Sequence, residues 1–334
     1  MIKKFFQSLL ILFLFVPSLA SDEFSVMTLN VDNLFDTKDD KNKDDKAYLP
    51  IEEKQSKEHV RSCSNIPVKS WKKECLFLDW DMETKDSKLK NLFINVMSYE
   101  NIGPDILALQ EVENLNILNQ LFELLKPYGY KDLVLIEGSD DRGIDNAIIS
   151  KFIILDSKLH YINFTGKFEG KDTRPILETN IDLNGNVIKI YNVHFPSGFH
   201  DVSMRIDSLN LLSDLLKTHD MPTIALGDFN INNKEDKKFN IYKSQEKYWS
   251  VSHLNGCKNC KGTYYYYYEN SWEFLDSIFL SKKRNIRYVK DSIDVHTNQF
   301  NSFNDTGRPI SFNAKNKTGV SDHLPMVAKF SFTN

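Results

Sequence analysis

Thr223-Ile-Ala-Leu-Gly-Asp-Phe-Asn230 is a short apolar run that delivers two polar residues, Asp228 and Asn230, at its end. On extended backbone this spacing turns both toward one side while Phe229 points back into a core. Gly, Asp and Asn also make ordinary turns, but the pattern recurs. Phe24–Leu29 runs into Asn30-Val-Asp32, and Asp105–Leu109 into Gln110-Glu111. Val187–Val193 ends on His194 just before Pro196, and Phe274–Leu280 carries Asp276 inside an apolar stretch. Ser321-Asp322-His323 leads into a last apolar run. Taken alone, Glu111 could simply favour the start of a helix near Asn114, and His194 could be structural.

Taken together, these residues form an oxygen-rich set with two imidazoles. Hard, partly hydrated cations prefer such donors, Mg²⁺ first, with Mn²⁺ or Ca²⁺ admissible. A buried Asp276 needs a partner, and His323 can supply one through one ring nitrogen, leaving the other free. The chemistry that fits is metal-assisted hydrolysis of a phosphate ester: charge neutralisation on the phosphate, a base for water and an acid for the leaving oxygen. No glycine-rich loop precedes a Lys in the P-loop manner, and no G-x-S-x-G elbow is present, which argues against nucleotide-driven transfer and serine hydrolysis.

The positioning elements follow from periodicity. Strands are expected over 24–29, 105–111, 132–136, 146–150, 176–181, 187–193, 223–226, 274–280 and 326–332. Asn184-Gly185 is the turn of a hairpin between the fifth and sixth of these. Helices are expected over about 84–99, with Lys85, Lys88 and Asn91 on its wet side, and over 115–125 and 202–216. Lys38–Lys46 reads as a solvated loop, since the EF-hand order with its central Gly is missing. An irregular insert fills about 37–80. The run Tyr264–Tyr268 has high strand propensity, serving either packing or stacking on bases or sugars.

With 41% hydrophobic and 12% aromatic residues the chain can bury a large core, and no repeat or linker divides it. Lys3, Lys4, the apolar run from Phe5 and Ser18-Leu-Ala20 form a secretory signal pattern over residues 1–20. An uncleaved anchor is the alternative. Removing this segment takes the net charge from −4 to −6, with 40 basic against 46 acidic residues. The expectation is a secreted or periplasmic protein without a transmembrane anchor. Its cysteines fall into two local pairs, Cys63 with Cys75 and Cys257 with Cys260, in polar segments with loop character. Short-range disulfides are the simplest reading, ahead of a zinc site or a redox motif.

Six blocks resemble, in order, the endonuclease/exonuclease/phosphatase superfamily of DNase I-like fold. They are Leu29-Asn-Val-Asp-Asn-Leu-Phe-Asp36, Pro104-Asp-Ile-Leu-Ala-Leu-Gln-Glu-Val-Glu113, Asn192-Val-His-Phe-Pro-Ser197, Gly227-Asp-Phe-Asn230, Trp272-Glu-Phe-Leu-Asp276 and Ser321-Asp-His-Leu-Pro325. The likeness is greatest to secreted bacterial members. It implies one α/β domain over 21–334, a four-layer sandwich of two mixed sheets flanked by helices. It makes Glu111 the main metal ligand, with Asn30, Asp32 and Asp322 near it. Asp228 would hold or activate the attacking water, Asn230 would bind the phosphate, and Asp276 with His323 would act as base or phosphate-polarising pair. His194 would be the general acid, oriented by Asp145. Asn192, Arg142, Arg174 and Trp272 are candidate substrate contacts. The implied substrate is nucleic acid, DNA foremost, cut endonucleolytically by a monomer with no stable protein partner. The acidic balance departs from the usual excess of Lys and Arg. Lipid phosphodiesters (sphingomyelinase-like) and inositol phosphates therefore remain alternatives, with a non-catalytic binding or toxin-like module a further one.

Overall fold

The computed structural model describes residues 23–257, 260–283 and 285–333; the signal segment expected over 1–20 lies outside them. In chain order the strands are β1 (Glu23–Leu34), β2 (Ile106–Val112), β3 (Asp132–Leu135), β4 (Asp145–Ser150), β5 (Ile153–His160), β6 (Ile176–Leu183), β7 (Asn186–His194) and β8 (Thr223–Asp228). They continue as β9 (Trp249–Val251), β10 (Tyr264–Tyr266), β11 (Ser271–Glu273), β12 (Asp276–Ser281), β13 (Ile286–Tyr288), β14 (Asp294–Val295) and β15 (Met326–Phe332). One sheet runs β13-β15-β1-β2-β4-β3, with β14 also on β15, and the other runs β5-β6-β7-β8-β12-β9.

Alternation within the strands builds the layers. Ile106 and Ala108 of β2 face the second sheet and pack with Ile190, Ile224, Leu226 and Ile278. Leu107 and Leu109 face outward onto helices α3 (Met82–Met97) and α4 (Leu115–Leu125). Across the sandwich, Tyr191, Val193 and Ala225 take Leu209, Leu212 and Leu216 of α5 (Val202–Lys217). Each fully buried Leu or Ile contributes roughly 1.5–3 kcal/mol. The result is the expected helix–sheet–sheet–helix sandwich. The hairpin at Asn184-Gly185 forms with both residues at positive φ, 55° and 103°, as a primed two-residue turn requires.

Four expectations are corrected. The insert is not irregular: helices α1 (Lys57–Ser64) and α2 (Lys69–Phe77) occupy it, and Cys63 and Cys75 sit on these helices rather than in loops. Both helices are polar overall and bury few side chains, His59 and Cys63 on α1 and Cys75 on α2. Local anchoring sustains them: the Ser56 cap, the disulfide, and buried Lys54, whose ammonium donates to the carbonyls of Ala47 and Leu78 at 2.6 Å. The acidic loop Lys38–Lys46 is not wholly solvated, since Asp45 is buried. On α3, Lys85 and Lys88 are buried, because they share the helical face of Leu89 and Leu92. Strands β5, β9, β11, β13 and β14 are absent from the expected set: β5 is a polar edge strand without an alternation signal, and the others are only two or three residues long. Of the tyrosine run, only Tyr264–Tyr266 is strand, and Cys257 pairs with Cys260 as expected.

Asn192, a candidate substrate contact, is instead a tie between the sheets. Its side chain is fully buried, donates to the carbonyls of Leu109 and Ala147 at 2.9 Å, and accepts from Gln110 at 2.7 Å. No donor is left for a ligand. Asn192→Ala should therefore lower the unfolding free energy by about 3 kcal/mol, since it leaves buried partners unpaired. A urea transition checks this, and an unchanged midpoint would return Asn192 to the surface of a binding site.

Candidate active site

The site grows out of strand register. In the second sheet His194, Asp228 and Asp276 lie side by side across β7, β8 and β12. In the first sheet Asn30, Gln110 and Asn146 form the matching row across β1, β2 and β4. Gly227 permits the first row: it has φ 142°, and a Cβ there would lie 2.0 Å from the Val193 carbonyl oxygen. Asn30 joins the sheets, donating from Nδ2 to Asp228 Oδ2 at 3.1 Å and to Glu111 Oε1 at 3.3 Å.

Two β-bulges bring the carboxylates in. The β1–β2 register shifts between Asn30 and Leu34, where Asp32 and Asn33 have φ 52° and 63°. The β2–β4 register shifts between Gln110 and Val112, around Glu111 at φ 67°. Bulges re-aim side chains beside functional sites, and each left-handed non-Gly residue costs about 1–3 kcal/mol. The Glu111 carboxylate is then held by the Asn33 backbone N–H at 3.1 Å.

His323 comes from the segment entering β15. Ser321, which sequence reasoning did not single out for a role, positions it: its hydroxyl donates to the Asn30 carbonyl at 2.6 Å and accepts from the His323 N–H at 3.0 Å. Nδ1 of His323 lies 2.6 Å from Asp276 Oδ2, the pairing expected from sequence. The Tyr264 ring packs against the imidazole with centroids 5.0 Å apart. Burial would depress the His323 pKa, but Asp276 and Asp322 outweigh it and raise the value well above the ordinary range.

Opposite stands His194, buried, with Nε2 3.6 Å from Asp228 and 3.7 Å from Glu111. Burial, then the charges of Arg174, Arg142 and His323, hold its pKa well below the usual range. Asp145 does not orient it. That carboxylate accepts from the Gly138 N–H at 2.8 Å, and His194 Nδ1 has no hydrogen-bond partner among the described residues. Asn230 turns back, its N–H on Asp228 Oδ1 at 2.8 Å and its amide on the Phe195 carbonyl at 3.1 Å. Arg142 donates to Asn33 Oδ1 at 2.5 Å, and Arg174 to the Phe195 carbonyl at 3.0 Å. Trp272 packs on Tyr265 and lies on the other face of the β10–β11 hairpin from Tyr264, away from His323; it belongs to packing rather than to the site.

Asp32, Glu111, Asp228 and Asp322 thus crowd one mouth, with Asp322 3.9 Å from His323 Nε2. Burial, then Asp322, pushes the Asp32 pKa up to about 7, and burial with Asp276 does the same to Asp228. Behind them lies Lys88, missed by hydropathy, donating to the carbonyls of Asp32 and Val320 at 3.0 and 2.8 Å. Among the described residues, the ligand atoms that lie within 4.8 Å of one another here are those of Asp228, Asp276 and His323. Glu111, Asp32 and Asp322 are more widely spread but feel one another's charge, and as hard oxygen donors they would be the groups to hold a divalent cation.

The model of the Endonuclease/Exonuclease/phosphatase family matches residues 83–323. No curated protein matches the chain. Among solved structures it is similar to an endonuclease/exonuclease/phosphatase family protein of Bacteroides thetaiotaomicron (17% identity, 93% of this chain and 98% of that one, TM-score 0.57). It is also similar to D. rerio TDP2 humanized by 14 mutations (16%, 93% and 99%, 0.59) and to the mannosyl-6-phosphatase of B. thetaiotaomicron (17%, 92% and 100%, 0.56). At such identities these structures establish the shared sandwich. The family match, which begins in α3 and ends on His323 itself, goes further: the chain belongs to the Endonuclease/Exonuclease/phosphatase family, whose members hydrolyse phosphoesters and generally use divalent metal ions.

Proposed function

We propose that the protein is a secreted phosphodiesterase that cuts DNA endonucleolytically with Mg²⁺. The observation that carries the reading is the pair of imidazoles flanking Asp228: His323 bound to buried Asp276 on one side, His194 on the other. A diester has a poor leaving group, so it needs both a base for water and a proton source for the departing oxygen. Asp228 accepts the proton of the attacking water as the new O–P bond forms. His323 donates a charged hydrogen bond to a phosphoryl oxygen. His194, 3.6 Å from Asp228, takes up that proton and delivers it to the leaving oxygen as the old P–O bond breaks. A divalent ion at Glu111, Asp32 and Asp322 would supply Lewis-acid stabilisation of the phosphate charge. Arg142 and Arg174 add fixed positive charge beside His194.

Exposed aromatics favour a base-bearing polymer over a small sugar phosphate. The hairpin that sets Tyr264 against His323 ends in Tyr267 and Tyr268, exposed at 57% and 91%, and Phe199 beyond His194 is 95% exposed. Aromatic platforms of this kind stack bases without sequence preference. Export is supported by the two disulfides, which persist in oxidising compartments.

Purified protein should nick supercoiled plasmid with Mg²⁺ and leave it intact in EDTA. Release of phosphocholine from sphingomyelin, or of phosphate from inositol phosphates, beside an intact plasmid would move the substrate within the family. Asp276→Asn keeps the contact to His323 but removes its charge; turnover should fall roughly 100-fold while the thermal midpoint holds. Full activity in that variant would take the pair out of the mechanism. Tyr268→Ala should raise KM for DNA about 5-fold or more, the loss of one stacked base, and leave hydrolysis of bis(p-nitrophenyl) phosphate unchanged. Equal effects on both substrates would contradict a stacking role.

A further inference from the structure

The acidic loop after β1 folds around a second group of carboxylates, apart from the site above. Asp36 accepts from the Lys38 N–H and from Asn116 Nδ2, and its own N–H donates to Glu113 Oε2 at 2.6 Å. Asp40 accepts from Asn114 Nδ2 at 3.0 Å and donates its N–H to Asp45 Oδ2 at 2.7 Å. Every one of these donors is a neutral amide. Ligand atoms of Asp40, Asp45 and Glu113 lie within 4.8 Å of one another. Asp45 and Glu113 are only 1% and 3% exposed, and the Asp39 carboxylate lies within side-chain hydrogen-bond reach of Asp45 and adds a further like charge. The decisive atom is Asp45 Oδ1, buried and without a hydrogen-bond partner among the described residues. A carboxylate oxygen removed from water with no donor is unfavourable, and a cation shared by the three groups would relieve it.

We propose that Asp40, Asp45 and Glu113 form a second cation site, which takes Ca²⁺. All donors are oxygen, so zinc and other softer metals are disfavoured. The carboxylates come from an irregular loop and a strand end. Ca²⁺ accepts such variable geometry, whereas Mg²⁺ demands a near-ideal octahedron. Binding here braces the rim of the active centre. In the same loop the Asp44 N–H donates to the Asp141 carbonyl at 2.7 Å, and the Lys43 ammonium to the Asp140 carbonyl at 2.9 Å. The ion would thus fix the turn that presents Arg142.

The test uses the full chain carrying Glu111→Gln, which weakens the catalytic centre as a competing site. Calorimetric titration with CaCl₂ should show one Ca²⁺ per chain, and the thermal midpoint should rise with Ca²⁺ but much less with equal Mg²⁺. Adding Asp40→Asn, which can keep the Asn114 contact at a half-buried position, should abolish both responses; Asp45→Asn should do the same. Absence of binding heat and midpoint shift up to about 10 mM Ca²⁺, above the weak limit of known calcium modules, would overturn the proposal. So would a response that survives Asp40→Asn, or one of equal size with Mg²⁺.

Discussion

The active end of the molecule depends on amide side chains that bridge two sheets. Asn192 ties β7 to the carbonyls of Leu109 and Ala147, Gln110 closes the link, and Asn30 reaches Asp228. Elsewhere the sheets meet mainly through apolar side chains, aliphatic and aromatic, which are tolerant of small slips; away from the site Tyr288 adds bonds to the carbonyls of Ser250 and Ile278. Hydrogen bonds are directional. The amides therefore lock the relative position of His194, Asp228 and Asp276 on one sheet and Asn30 and Glu111 on the other. A catalytic centre assembled from two sheets needs that lock, because errors of about 1 Å in position are expensive in rate.

Local strain does the aiming. A regular β2 would alternate Gln110 and Glu111 onto opposite faces; the bulge at Glu111 brings its carboxylate round to Asn30 and Asn33. Left-handed backbone at Asp32, Asn33, Glu111 and Asn230 is held by the surrounding sheets and the buried Lys88. The large hydrophobic layers offset this cost. Positioned carboxylates at one mouth then create the demand for a cation.

The two imidazoles show how environment separates identical side chains. His323 touches a buried carboxylate and has another nearby, whereas His194 is enclosed with two arginines nearby and no partner at Nδ1 among the described residues. Environments that push two like side chains in opposite pKa directions let them take different parts in one reaction.

Much of this was legible from residue order. Apolar alternation ending in Asn30, Glu111, His194 and Asp228 places polar groups at strand ends, and buried Asp276 demanded a partner such as His323, since a charge cannot stay in an apolar strand unpaired. Those are local or near-universal constraints. What only tertiary structure decided depends on how segments close on one another, within a single hairpin or turn as well as across the two sheets. Asn192 lost a binding role to inter-sheet bonding, Trp272 fell on the wrong face of its hairpin, and Asp145 was claimed by Gly138. Lys88 joined the core because its helical face meets backbone carbonyls that no periodicity reveals. The acidic loop looked solvated since charge normally faces water; burial of Asp45 against Glu113 arises only when β1 and β2 pair in parallel and bring residues more than sixty positions apart into one corner.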